Sequence, residues 1–189
     1  MHLRVTAPDE FAWVEAPAGS LRPGEARIET LLSAVSVASE LSVVRDGPLP
    51  ARLGYQTLGR MVQTQATPGL LPGQRVVCTL GHAASGVCRA DHLIPVPDDV
   101  PDRPALCVIL GEETHKGTRK VAPAAGEPTP VAGAGLLGLL SVFNLTRRGV
   151  TQLSVREPDP ARRALARRLG AAAYTPGELP HDAFAVGLE

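Results

Sequence analysis

The sequence predicts a mixed α/β protein: a small N-terminal β-barrel over residues 1–121, then a partial parallel sheet of β-α-β-α-β order over residues 122–189. Three observations carry this. Up to about Val121 the chain is a series of short strand-forming runs punctuated by Pro and Gly, the pattern of an all-β region. Beyond it, apolar strands alternate with helical segments, which implies a parallel sheet. The second region opens on Val131-Ala132-Gly133-Ala134-Gly135-Leu136-Leu137-Gly138, a G-x-G-x-x-G turn between a short apolar run and a helical pattern.

In order along the chain, Leu3–Thr6, Phe11–Glu15 and Ala26–Leu31 read as strands, with turns at Ala16-Pro17-Ala18-Gly19 and Arg22-Pro23-Gly24-Glu25. Ala34–Val44, rich in small residues, reads as a loop leading into a short helix. Gly59–Gln65 and Arg75–Leu80 are further strands on either side of a Pro- and Gly-rich turn. Ala105–Leu110 and Glu112–Val121 are expected to be helices leading out of the barrel. Strand Val131–Ala132, helix Leu136–Arg148, strand Gln152–Arg156, helix Pro160–Leu169 and a last strand Ala183–Leu188 complete the chain. Asp159 is a good N-cap with Pro160 at the first helical position, and Gly170 is a good stop. Pro128 and Pro130 each lack the N–H that a central ladder uses, so they are expected to disturb the first strand.

The composition, 44% hydrophobic and 20% charged over 189 residues, is that of a soluble globular protein. Nineteen basic residues against nineteen acidic ones remove the electrostatic argument for nucleic acid or an anionic membrane as partner. The N-terminus lacks the apolar core of a signal peptide and no stretch reaches membrane-span length, so a cytoplasmic location is expected. Cys78, Cys88 and Cys107 are odd in number and without a C-x-x-C pair. Buried reduced thiols are expected, rather than a disulfide framework or a cysteine-rich zinc site.

The glycine turn carries a chemical task. Gly133 allows a tight turn, Gly135 lets backbone N–H groups approach a pyrophosphate at the helix N-terminus, and Gly138 permits close packing of helix on strand. Ala134, Leu136 and Leu137 complete the expected phosphate-binding loop.

Several phrases, taken in order, resemble the medium-chain dehydrogenase/reductase superfamily, the relatives of zinc alcohol dehydrogenase. Pro23-Gly24-Glu25-Ala26-Arg27-Ile28 is similar to the family's P-G-E-V-x-V strand, and Pro72-Gly73-Gln74-Arg75-Val76-Val77 to its G-D-R-V turn. Pro95-Val96-Pro97-Asp98-Asp99-Val100 resembles the segment before the interdomain helix. Arg162 through Ala171 resembles R-L-x-x-A-x-x-L-G-A. The resemblance implies a GroES-like barrel followed by a Rossmann domain, here only its first half, as in a chain shortened within that domain.

Counting back from the last phrase places Glu157 at the end of the second strand, about 20 residues past the glycine turn, where a carboxylate bonds ribose hydroxyls. A carboxylate there repels a 2′-phosphate, so NAD(H) is favoured over NADP(H), a preference that the neighbouring Arg156 softens. By the same resemblance Arg162 contacts the adenosine ribose and Thr114 the nicotinamide side.

Zinc members carry a Cys in G-I-C-x-T-D and a His in G-H-E, where this chain has Ala34-Val35-Ser36-Val37-Ala38-Ser39-Glu40 and Gly54-Tyr55-Gln56. No zinc is therefore expected. The phrases around Ser39, Tyr55 and His82 resemble instead a zinc-less branch that includes the bacteriochlorophyllide-type dehydrogenases. Without a metal the hydride acceptor needs a proton donor, and His82, Tyr55 and Ser39 are the candidate catalytic residues. The function implied is an NAD(P)-dependent, zinc-independent oxidoreductase acting on an alcohol or carbonyl small molecule. The alternative is a catalytically incomplete remnant, or a nucleotide- or protein-binding module. In that case the exposed half-sheet edge would be covered by a homodimer or another partner.

Overall fold

The computed structural model describes residues 1–15 and 19–178. They form two compact units, the first ending at Val108 and the second beginning at Ile109.

In the first unit β1 (His2–Ala7) pairs antiparallel with β2 (Glu10–Val14) and β4 (Ala51–Arg52). A second antiparallel sheet has the order β7-β3-β5-β6-β8, from β3 (Glu25–Ala34), β5 (Gln56–Gln65), β6 (Arg75–Cys78), β7 (Ser85–Arg89) and β8 (Ile94–Pro95). An isolated antiparallel bridge joins His2 of β1 to Ala83, in the loop before β7. Along β3 the side chains alternate as strand geometry requires. Ala26 and Ile28 are fully buried against Met61, Val76, Cys78 and Leu93, while Glu29 faces outward. Register shifts against β5 at Arg27/Ile28 and Thr30/Leu32 mark bulges that bend the strand, and beyond the second of them Ser33 is exposed at the strand end. Strands β4, β7 and β8 were not foreseen. They are two to five residues long with no fully buried face, too short to display an alternation.

Helix α1 (Val37–Asp46) follows β3 as expected of a loop-to-helix segment, starting from Ser36 and burying Val44 against Val5 and Leu53. The helices here are α2 (Asp102–Leu106) and α3 (Val108–Val121), so the break falls at Cys107 rather than at Gly111, and α2 begins three residues before the expected Ala105. Contacts group most of α3 with the second unit, whereas the sequence reading assigns it to the barrel region. Of the three cysteines only Cys78 is buried. Cys88 on the outer strand β7 and Cys107 at the end of α2 are half-buried, which corrects the expectation for those two. The Cys88 thiol hydrogen-bonds Cys78, which pulls the Cys78 thiol below its ordinary range and pushes Cys88 above it.

The second unit runs β9 (Thr129–Ala132), α4 (Leu136–Arg147), β10 (Leu153–Arg156), α5 (Pro160–Arg168) and β11 (Ala172–Tyr174). Its parallel sheet has the order β11-β10-β9, the arrangement expected of the β-α-β-α-β reading. Val131, Val142, Leu145, Leu153, Val155 and Ala166 form its core. Asp159 caps α5 by accepting the Arg162 N–H at 3.0 Å, Pro160 opens the helix, and Gly170 at φ +97° ends it. The expected strand Ala183–Leu188 lies outside the described residues. The third strand of the sheet is β11, reached directly after Gly170. Two of its three residues are alanines, weak strand formers that tertiary packing holds in the ladder.

The prolines of β9 do not disturb its pairing. Thr129 N–H donates to Gln152 O at 2.9 Å and Gly133 N–H to Arg156 O at 2.8 Å, so the odd-numbered residues face β10. Pro128 and Pro130 aim their missing N–H at the opposite edge, where Ala132 is the one residue of β9 that offers a donor. Among the described residues no helix is long and apolar enough to cross a membrane.

Candidate functional site

His82 is held in place before its ring does anything. Its N–H donates to Leu53 O at 2.9 Å, and its carbonyl accepts from Leu3 N at 2.8 Å. Gly54 and Gly81, both near φ +83°, make the room: a Cβ on Gly54 falls 2.9 Å from the imidazole, and one on Gly81 falls 2.8 Å from Leu53 O. The ring is 7% exposed, and Glu40, 8% exposed, sends its Oε2 to within 2.9 Å of His82 Nε2. On the other side Ser33 Oγ lies 2.8 Å from Nδ1. With Nε2–H donated to the carboxylate, Nδ1 of a neutral ring accepts the Ser33 hydroxyl proton. The result is a line from an exposed serine through a buried imidazole to a buried carboxylate.

Glu40 is itself fully engaged, since Oε1 accepts the Ser36 N–H at 2.7 Å at the start of α1. Ser36 extends the network: Tyr55 donates its hydroxyl to Ser36 Oγ at 2.8 Å, and Ser36 donates to Ser39 Oγ at 3.2 Å. The three predicted catalytic residues His82, Tyr55 and Ser39 thus belong to one hydrogen-bonded cluster. Their junctions, Ser36 and Glu40, together with Ser33, were not singled out as catalytic in the sequence. Glu40 lies in the first turn of α1 but four positions after Ser36, one beyond capping-box spacing. Its pairing with a histidine 42 positions away leaves no local trace.

In the second unit each glycine of the turn has a distinct physical reason. Gly133 sits at φ +87°, a Cβ on Gly138 would meet Gly133 O at 2.1 Å, and Gly135 faces open space. Gly138→Ala is expected to destabilise the second unit by about 1–3 kcal/mol, because the added methyl overpacks a backbone contact. A lowered urea midpoint at unchanged slope checks it. Helix α4 begins at Gly135 with no side-chain cap, and Leu136 and Leu137 are half exposed, so the first-turn N–H groups are not capped by a side chain. Ala134 differs, because its N–H donates to Glu157 Oε2 at 2.7 Å.

Glu157, 4% exposed, also accepts the Asp159 N–H on Oε1 at 2.9 Å. The Asp159 and Ala134 amides together hold its carboxyl below the usual glutamate range. The predicted ribose contact is therefore also the brace that ties the glycine loop to the end of β10. Arg162 is exposed beside it. Its neighbour Arg163 is the one that grips this turn, donating from Nη1 to Glu157 O at 2.8 Å and Pro158 O at 2.6 Å. Thr114 is buried, donates to Gly111 O and accepts from Asn144 Nδ2, both at 3.0 Å, so its hydroxyl fastens α3 to α4.

An antiparallel unit of two sheets precedes, in the chain, a glycine-turn parallel sheet. Comparison with solved structures gives the same architecture. 2R,3R-butanediol dehydrogenase from Bacillus subtilis matches with a TM-score of 0.81 at 19% identity, over 96% of this chain and 64% of that one. A short chain alcohol dehydrogenase (rspB) from E. coli CFT073, complexed with NADH, matches with a TM-score of 0.82 at 19% identity, over 95% of this chain and 63% of that one. Among curated proteins, L-threonine 3-dehydrogenase from Anaeromyxobacter sp. (strain K) is 27% identical over 157 residues, which cover 66% of this chain and 45% of that protein. No family model matches the chain. The chain shares the fold of these solved dehydrogenases and is similar in sequence to L-threonine 3-dehydrogenase, and it spans about half the length of the curated relative just named.

Proposed function

We propose that the chain binds NAD(H) on its glycine loop and serves hydride transfer to or from an alcohol or carbonyl compound without zinc. The observation that carries this reading is the Ser33–His82–Glu40 line, a proton path ready-made beside an exposed hydroxyl. The loop fits the cofactor: the open space at Gly135 and the uncapped first turn of α4 suit a pyrophosphate. The charged carboxylate of Glu157 favours a free ribose over a 2′-phosphate.

Zinc does not fit in the same way. Ser36 and Tyr55, at the places where zinc members carry Cys and His, are neutral hydroxyls bonded to each other, and zinc selects thiolate, imidazole or carboxylate.

Bound NAD⁺ supplies the hydride acceptor for alcohol oxidation. The substrate hydroxyl proton passes to Ser33 Oγ as the Ser33 proton moves to His82 Nδ1. The resulting imidazolium is stabilised at Nε2–H by Glu40. Tyr55, Ser36 and Ser39 hold the start of α1, and with it Glu40, in position.

Calorimetric titration tests the reading. NADH and ADP-ribose are expected to bind, NADPH more weakly, and Gly135→Val is expected to abolish the NADH signal. Turnover is then sought across a panel of alcohols and aldehydes. Absent NADH binding, or binding unchanged by Gly135→Val, would overturn the cofactor assignment. Equal affinity for NADH and ADP-ribose with no turnover would leave a nucleotide-binding module.

A further inference from the structure

Cys78 and Cys88 lie on strands that are not neighbours in the five-stranded sheet, because β3 and β5 stand between β6 and β7. Their side chains nevertheless meet. Cys88 is in register with Ala26 on β3 and so shares its face of the sheet, and Ala26 is fully buried. Cys78, 2% exposed, belongs to the same core cluster as Ala26, and Cys88 packs against that cluster. The sheet therefore curls until the two sulfurs come together across the core, where the Cys88 S–H donates to Cys78. The third cysteine stands apart, since Cys107 Sγ lies 4.0 Å from Arg103 O within its own helix turn.

From this placement we infer that Cys78 and Cys88 are a modification site, a dithiol that hydrogen peroxide closes to a disulfide and a thiol reductant reopens. One sulfur of the pair, as thiolate, attacks the peroxide O–O bond, which breaks to leave a sulfenic acid and hydroxide. The second sulfur attacks the sulfenic sulfur, the S–O bond breaks, and the S–S bond forms as a second hydroxide leaves. The two hydroxides take up the two thiol protons, so two thiols are oxidised and one peroxide is reduced to two waters. The contact favours the first step. A thiolate in the pair accepts its partner's S–H, and the Arg52 guanidinium adds positive charge near Cys88. Half-buried Cys88, on the edge strand β7, is where so small an oxidant reaches the pair. The bond clasps the two ends of residues 79–87, the connection that carries His82.

Trypsin cleaves after Arg75 and Arg89, so both sulfurs fall in the single peptide of residues 76–89 and a bond within one chain is read directly from its mass. The full chain is treated with hydrogen peroxide, its remaining thiols are blocked with iodoacetamide, and the digest is weighed before and after dithiothreitol. The peptide is expected to be unalkylated and lighter by two hydrogens, with dithiothreitol restoring both thiols, while Cys107 is alkylated from the start. The oxidised chain is also expected to show a higher urea midpoint than the reduced one, because the closed loop restricts the unfolded chain. Cys88→Ser is expected to show no such rise. A peptide alkylated at both cysteines, one that gains oxygen without losing the hydrogens, a bond to a different peptide, or a midpoint that does not rise would each overturn the inference. The masses are read on the unsubstituted chain and need no cofactor, so the result stands apart from the folding of Cys88→Ser and from the NADH titration.

Discussion

Replacing His82 by glutamine is expected to lower kcat/KM for alcohol oxidation by about 10²–10⁴, the usual contribution of a positioned general base, with NADH affinity unchanged. Glutamine approximates the polar reach of the imidazole but offers no basic nitrogen to Ser33 and no cation for Glu40 to stabilise. The loss is expected in kcat, because the proton moves only in the reaction. The glycine loop takes no part in the His82 network, so cofactor binding should persist. Glu40→Gln is expected to give a smaller loss, since the ring keeps a hydrogen-bond partner while the imidazolium loses its counter-charge. Steady-state kinetics beside urea midpoints decide the matter. A His82 that serves packing alone would lower the midpoint of His82→Gln and leave kcat where it was.

The Glu157→Gln variant is expected to lose about 1–3 kcal/mol, the cost of leaving a buried donor without its acceptor. The two carboxylate oxygens accept from Ala134 and Asp159, and an amide presents one oxygen and one NH₂ to two N–H groups that both need acceptors. The pH dependence follows from the same contacts. The Glu157 carboxyl is depressed in the folded chain, so its stabilisation is complete above the unfolded glutamate value of about 4.3. It is lost as pH falls through the lower folded value. The wild type should therefore weaken on acidification more steeply than Glu157→Gln, to which the remaining carboxylates still give an acid limb. Urea midpoints from about pH 6 to pH 3 measure both slopes. Equal midpoints at neutral pH would show that the brace contributes nothing.

Pro128 and Pro130 illustrate how one sequence feature changes meaning in three dimensions. In the sequence they weaken a strand. In the fold their missing donors fall on the side away from β10, so the ladder is intact and the outer edge of β9 is the part that is blunted.

Local physics made part of this protein readable directly from its residues. The turn Gly133–Gly138 needs a positive φ at one glycine and a backbone contact at another, and the α5 caps Asp159, Pro160 and Gly170 act within a few positions of themselves, so both were legible. The alternation of strands and helices from β9 through α5 was likewise anticipated, whereas the third strand β11 was not. Tertiary structure alone decided the rest. Short strands such as β4 and β8, and the alanine-rich β11, exist because neighbours supply their ladders. Ser33 and Glu40 become the two sides of His82 because β3, α1 and the loop carrying His82 converge from 49 and 42 positions away. A buried carboxylate and imidazole are stable only as partners, and nothing within reach of either in the sequence says that the other will be there.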